Sequence, residues 1–167
     1  MGKLRYNVAA SLDGFIARPD GSYDWIPADD SINFDALYAE FDAFIMGRKT
    51  YETMLAQGDQ NPLRNRPSDR VAVVTSTGLA AGASSAWGVT VLAGTAEAVA
   101  WVTEARRRFG RDVWLMIGGG KGGGTEGPTS RRLRLTGSEI LASGIAICKY
   151  EVIYESSGGD CQTTLLE

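Results

Sequence analysis

Apolar residues along this chain gather in short unbroken runs, separated by polar breaks that carry glycine. Unbroken apolar runs of about four to eight residues read as strands buried on both faces, as in a parallel sheet covered by helices. Such runs are Ala43-Phe44-Ile45-Met46, Val71-Ala72-Val73-Val74 and Val113-Trp114-Leu115-Met116-Ile117; Leu4 to Ala10, mostly apolar, and Val89-Thr90-Val91-Leu92 read as further strands. Between them the period lengthens. Phe34, Leu37, Tyr38 and Phe41 fall at i, i+3, i+4 and i+7, which predicts a helix capped by Ser31 with that stripe in the core. Arg48 to Ala56 predicts a second helix. A third, Ala96 to Arg108, has Thr95 as its cap, Glu97 in its first turn, arginines in its last turn and Gly110 just beyond.

The resulting alternation of strands and helices predicts an α/β three-layer fold around a mostly parallel sheet. The tail has a different rhythm. Leu133-Arg134-Leu135-Thr136 alternates like a half-exposed strand. Tyr150 to Tyr154 and Cys161 to Leu166 flank the turn-forming Ser156-Ser157-Gly158-Gly159-Asp160, which predicts a C-terminal β-hairpin and makes the sheet mixed. No repeat or linker interrupts the pattern, so residues 1–167 are expected to form one domain. Arg18 to Asp30, with its Asp20-Gly21 turn, is a long irregular stretch of the kind that serves as a lid or faces a substrate.

Composition narrows the function classes. A net charge of −3, from 17 basic and 20 acidic residues, provides no basic field for nucleic acid. The one basic run, Arg106-Arg107-Arg108, complements a helix C-terminus. No stretch approaches the roughly 18 apolar residues of a membrane span. The N-terminus enters a strand without the profile of a signal peptide, and Cys148 and Cys161 show no CxxC spacing. Both features fit a reducing, cytoplasmic setting, with the two cysteines as small buried hydrophobes. The chain has no histidine. That excludes Ser-His-Asp and Cys-His nucleophiles and His-ligated zinc, and no metal is expected. Proton transfer is left to a carboxylate, Lys, Tyr or water, and a cofactor bringing its own reactivity suits such a chain.

Three strand ends carry candidate chemistry. Gly118-x-Gly120-x-x-Gly123 matches the dinucleotide expression G-x-G-x-x-G, but Gly124-Thr125-Glu126-Gly127-Pro128 cannot open the helix which that motif requires. A Walker A loop fails because Gly122 follows Lys121 where Ser or Thr is needed. Met46-Gly47-Arg48-Lys49-Thr50-Tyr51-Glu52 sets a glycine, two cations and a hydroxyl where a buried strand meets a helix, an arrangement favourable to an anion. Thr75-Ser76-Thr77 adds hydroxyls at a third strand end. In a parallel sheet Gly47-Arg48, Thr75-Ser76 and Gly118-Gly119-Gly120 share one edge, suited to a long phosphorylated ligand.

Ala9-Ala10-Ser11-Leu12-Asp13-Gly14-Phe15-Ile16-Ala17, then Met46 to Glu52, then Ile117-Gly118-Gly119-Gly120 resemble, in order and spacing, the dihydrofolate reductase superfamily. The S-L-D-G-x-I-A form is most similar to the riboflavin-biosynthesis reductase domain and its small stand-alone relatives. The resemblance spans Leu4 to Gly120. It implies a mixed, mostly parallel sheet flanked by helices, a C-terminal hairpin and NADPH as cofactor. Ala9, Ala10 and Ile16 would meet the nicotinamide. Arg48 would face the 2′-phosphate, with Lys49 and Thr50 on phosphates nearby. Thr75, Ser76 and Thr77 would line the ribose, and Gly118, Gly119 and Gly120, with Gly47, the phosphates.

Hydride reduction of a C=N or C=O group also needs a proton. Trp25-Ile26-Pro27-Ala28-Asp29 resembles the segment that carries the carboxylate of the folate enzymes, so Asp29 is the first candidate, with Asp13 and Asp35 as alternatives. Asp29 also reads as helix N-terminal charge, and Asp13 as an Asx-turn with Gly14. Beyond Gly120 the resemblance breaks, for the family's next helix is replaced by the glycine-rich Lys121 to Ser130. An NADPH-dependent reductase acting on a small heterocyclic or carbonyl substrate is expected. The alternatives are a non-catalytic nucleotide-binding homologue and a true dihydrofolate reductase, and an exposed sheet face would favour a homodimer.

Overall fold

The computed structural model of the chain describes residues 1–75, 87–117 and 132–154. These residues fall into two compact units. The first takes in residues 1–26 and 32–117 of the described chain, and the second residues 27–31 with 132–154.

The first unit is built on five parallel strands: β1 (Leu4–Asn7), β2 (Phe41–Gly47), β3 (Val71–Val74), β4 (Thr90–Leu92) and β5 (Asp112–Met116). They lie in the order β1-β5-β2-β3-β4, so β5 returns to sit between β1 and β2. Their registers run Asn7 against Met116, Met116 against Met46, and Val74 against both Gly47 and Leu92. All five carboxyl ends therefore share one edge.

Strand alternation explains why the central runs are apolar throughout. Phe44, Met46, Val71, Val73, Trp114 and Met116 point to one face. Ala43, Ile45, Ala72, Leu92 and Val113 point to the other. Helices α1 (Phe34–Ala39) and α2 (Arg48–Ala56) cover the first face through Leu37, Tyr38, Tyr51 and Met54. Helix α3 (Thr95–Arg108) covers the second through Ala98, Trp101, Val102 and Ala105. The aromatic side of the core is tightly knit: Phe41 and Tyr38 stand 4.7 and 5.0 Å from Trp114 between ring centroids, and Tyr51 stacks on Trp87 at 5.3 Å.

The second unit is an antiparallel hairpin of β6 (Arg132–Ile140) and β7 (Ala146–Ile153), with residues 27–31 against it. Its turn, 141–145, closes with the Leu141 amide on the Ile145 carbonyl at 2.8 Å, and Gly144 takes φ +85°, where a side chain would be strained.

Several expectations are corrected. Helix α1 is capped by Asn33, whose side chain accepts the Ala36 amide at 2.8 Å, and not by Ser31. The helix stops before Phe41, which opens β2 because its ring is needed against Trp114, while Phe34 is exposed. Gly94, not Thr95, precedes α3. Tyr150 pairs with Leu135 and Val152 with Leu133, so the partner of this strand lies before it in the chain. Residues 161–166 lie outside the described residues. Cys148 is exposed opposite Ser138 and is not a buried hydrophobe; Cys161 lies outside the described residues. All pairings of the five-stranded sheet are parallel, and the antiparallel pairing belongs to the hairpin's own sheet. No helix among the described residues is long and apolar enough to cross a membrane.

Phe44 is fully buried where β2, β5 and α1 meet. Phe44→Ala is expected to lower the unfolding free energy by about 3–5 kcal/mol, through lost transfer energy plus an unfilled cavity. Urea denaturation followed by tryptophan fluorescence measures it, and a loss below about 1 kcal/mol would contradict this placement.

Candidate functional site

Of the candidate residues, the shared carboxyl edge of β1, β5, β2 and β3 carries Ala9, Gly47, Arg48, Lys49, Thr50 and Thr75. In open α/β sheets ligands settle beyond this edge, where the chain reverses its direction across the sheet. Here the reversal comes between β5 and β2, since the chain runs outward from β2 to β4 and then returns to β5.

Gly47 ends β2 and is the N-cap residue of α2. Its φ of −80° is open to any residue, so its value lies in space: a Cβ built there meets no heavy atom of the described residues within 4 Å. Among the described residues no side chain caps α2. Arg48 and Lys49 follow, both exposed. The Arg48 guanidinium donates to Glu52 at 2.6 Å across one helical turn, which occupies only part of its fork of donors. Lys49 has no ion-pair partner among the described residues. Thr50 is buried at the third position of the helix. Thr75, also buried, follows β3, and its amide donates to the Leu92 carbonyl at 3.0 Å.

Beside this edge lies a cleft of about 240 Å³. Val8 and Ala9 form its β1 side, and Met116 and Ile117 its β5 side. Thr50, Thr53, Met54 and Gln57 line it from α2. Tyr23 and Ile26 reach it from the long first loop, the segment expected to face a substrate, and Ile16 from just before that loop. That loop is shaped by local bonds: the Asp13-Gly14 and Asp20-Gly21 turns put both glycines at φ near +87° (86° and 88°), and Arg18 pairs with Asp24 at 2.8 Å. Ala10 is exposed and does not line the cleft.

Asp29 belongs to the hairpin unit. Its carboxylate accepts a short hydrogen bond from the Ser143 hydroxyl and two more from Ser31, hydroxyl at 2.5 Å and amide at 2.9 Å. Those bonds, Ser143's first, hold its carboxyl below the usual carboxylate range. Asp13 accepts the Ser11 hydroxyl at 2.5 Å on an exposed turn, and Asp35 is exposed in the first turn of α1. Neither lines the cleft. Ser76, Thr77, Gly118, Gly119 and Gly120 lie outside the described residues, as does Lys121 to Ser130.

Apart from Thr50, the residues that line the cleft from α2 do not stand out in the sequence. The signal was present, for residues 50, 53, 54 and 57 stand at i, i+3, i+4 and i+7 and thus share one helix face.

Comparison with known proteins completes the description. The model of the RibD C-terminal domain family matches residues 2–111, well over half of the chain. A search of curated proteins finds no match. Among solved structures, a candidate riboflavin biosynthesis protein from Shewanella sp. PV-4 superposes with a TM-score of 0.68 at 20% identity. The superposition covers 92% of this chain and 100% of that one. At that identity the likeness concerns the fold.

The Asp29 cluster makes a pH prediction. A depressed carboxyl stabilises the fold above its unfolded pKa, near about 3.9, and that stabilisation is lost as pH falls through the lower folded value. An NMR titration is expected to place the Asp29 midpoint below the unfolded value, and Ser143→Ala to move it up. An unmoved midpoint would contradict the Ser143 bond.

Proposed function

The chain belongs to the RibD C-terminal domain family, and from that premise we propose that it is an NADPH-dependent reductase of a small heterocyclic or carbonyl compound. The observation that carries the reading is the convergence of four neighbouring strand ends on the uncapped start of α2, with Arg48 and Lys49 exposed beside it. A polyphosphate needs such donors. The start of a helix and two exposed cations suit it, and no described residue fills the space where a Cβ of Gly47 would stand, so it can reach the main chain there.

Arg48 is assigned to the 2′-phosphate, by the donors that Glu52 leaves free, and Lys49 and Thr50 to the phosphates beside it. A guanidinium fork meets a phosphate where a carboxylate would repel it, hence NADPH over NADH. Thr75 with Ser76 and Thr77 would line the ribose, and Gly118 to Gly120 the pyrophosphate. Bound NADPH supplies a hydride. Ala9 and Ile16, on the cleft wall, would hold the reacting ring beside the substrate, with Ala10 next to them, and the apolar lining would exclude bulk water.

Proton delivery is the second requirement. Asp29, held ionised by its three hydrogen bonds, is a poor direct donor at neutral pH. Asp13 is engaged by Ser11. We therefore favour delivery through water, with Asp29 or Asp13 orienting it. The same observation supports a second reading, a homologue that binds a nucleotide without turnover. The setting is proposed to be the cytoplasm, as a possible homodimer.

NADPH is expected to bind at micromolar concentration and more tightly than NADH. Arg48→Ala should weaken NADPH about tenfold, the worth of an exposed charge-assisted bond, with little change for NADH. Fluorescence titration measures both, and no binding at millimolar NADPH would overturn the reading. Following absorbance at 340 nm across pteridines and aminopyrimidines separates a reductase from a binder: loss of absorbance on any of them supports turnover.

A further inference from the structure

A second cleft, of about 230 Å³, opens at the opposite edge of the five-stranded sheet. Asp69, just before β3, and Thr90, the first residue of β4, form one wall. It therefore lies at the amino ends of these strands, away from the carboxyl edge described above. Helix α3 forms the other wall with Trp101, Glu104, Ala105 and Arg108, which recur at i, i+3, i+4 and i+7 along one helix face. Buried Ala105 and Phe109 make the floor.

The charges of this cleft are unevenly used. Glu104 and Arg108 stand at i and i+4, the order in which a carboxylate and a cation pair best on a helix. Arg108 instead reaches Asp69 on the facing wall at 2.9 Å and stands over the Phe109 ring, 5.3 Å from its centroid. Arg70, the other guanidinium over that ring, is held by Asp42 at 3.2 Å. Arg107, next along the helix, does not line the cleft. Glu104 is thus an exposed carboxylate with neither ion pair nor hydrogen bond among the described residues. One turn before it, Trp101 is half-buried, packing against the core while also lining the cleft.

An indole attracts a cation to the negative face of its ring, and a carboxylate beside it adds the opposite charge. The carbonyl end of α3 brings partial negative charge to the same place. An anion would meet Glu104 and Asp69, with Arg108 already engaged. The apolar floor favours a cation that carries a hydrocarbon stem over a bare ion. The volume lies below the roughly 300–1,000 Å³ of sites for drug-sized ligands, so the stem must be short.

We infer that this cleft binds a small organic monocation with an apolar stem, an alkylguanidinium or alkylammonium. Its charge would sit between Glu104 and the Trp101 ring, and its stem over Ala105 and Phe109. The site is separate from the edge assigned to NADPH, and it stands whether or not the reductase reading holds.

n-Butylguanidinium and the neutral, nearly isosteric n-butylurea test this on the full chain by calorimetric titration. The cation is expected to bind at millimolar concentration and about tenfold tighter than the urea, the joint worth of an exposed cation–π contact and an exposed ion pair. Glu104→Gln should weaken the cation about threefold and leave the urea and NADPH unchanged. Trp101→Leu should also weaken the cation about threefold. Because Trp101 packs on the core, the exposed Glu104 position keeps the test informative should that variant fail to fold. Absence of cation binding at about 10 mM, where even a weak site would fill, would overturn the inference. So would equal affinities for cation and urea, or a folded Glu104→Gln chain that binds the cation as tightly as the wild type. Displacement of the cation by NADPH would put it at the other edge and overturn the inference as well.

Discussion

The insertion of β5 between β1 and β2 is the constraint on which the first unit depends. A parallel strand in that position must be apolar on both faces, and Val113-Trp114-Leu115-Met116 meets the requirement. Trp114 then organises one side of the core, with Tyr38, Phe41 and Phe44 around it. At the start of the strand Asp112 accepts the Lys3 amide at 2.6 Å and pairs with Arg5 at 2.8 Å, tying the edge strand β1 into register. Because β5 comes back across the chain's outward path, the ends of β1, β5, β2 and β3 fall side by side. The site follows from that topology.

Much of the first unit was legible. Helix α2 and strand β3 run from Arg48 to Ala56 and from Val71 to Val74, the bounds their apolar runs and flanking glycine and polar residues predict. Strand β3 reads well because burial on both faces leaves no alternative pattern. Phe41 shows the limit. It stands at a helical interval from Phe34, Leu37 and Tyr38, but tertiary packing claims it for β2, and periodicity cannot distinguish a helix's last turn from the first residue of a strand. The C-terminal hairpin is present, but its described partner strand lies before Tyr150 and not after it. Two glycine-bearing turn signals compete in the tail, at Ser143-Gly144 and in 156–160, and local chemistry does not say which pair of strands a turn joins.

The candidate site was legible in part, and unevenly. The strand ends announced themselves through residue types that favour anions, since glycines and cations at a strand-to-helix junction are conspicuous in sequence. The cleft did not. Its lining is drawn from β1, β5, α2 and the first loop, and ordinary residues such as Thr53 and Gln57 gain meaning only when the fold sets them opposite Ala9 and Ile16. Asp29 was found by likeness of its segment, but its chemistry depends on Ser143, more than a hundred residues away in sequence.

The resulting division of labour is physical. One side of the edge offers the positive charge of Arg48 and Lys49; the other offers a cleft whose described lining is uncharged and mostly apolar. A ligand carrying both kinds of group would bridge them. The most direct measurement is a crystal structure of the chain grown with NADPH. The account predicts phosphate density at the start of α2 within hydrogen-bonding distance of Arg48, and the nicotinamide in the cleft beside Ala9 and Ile16. Density elsewhere on the chain, with that edge left to solvent, would contradict it.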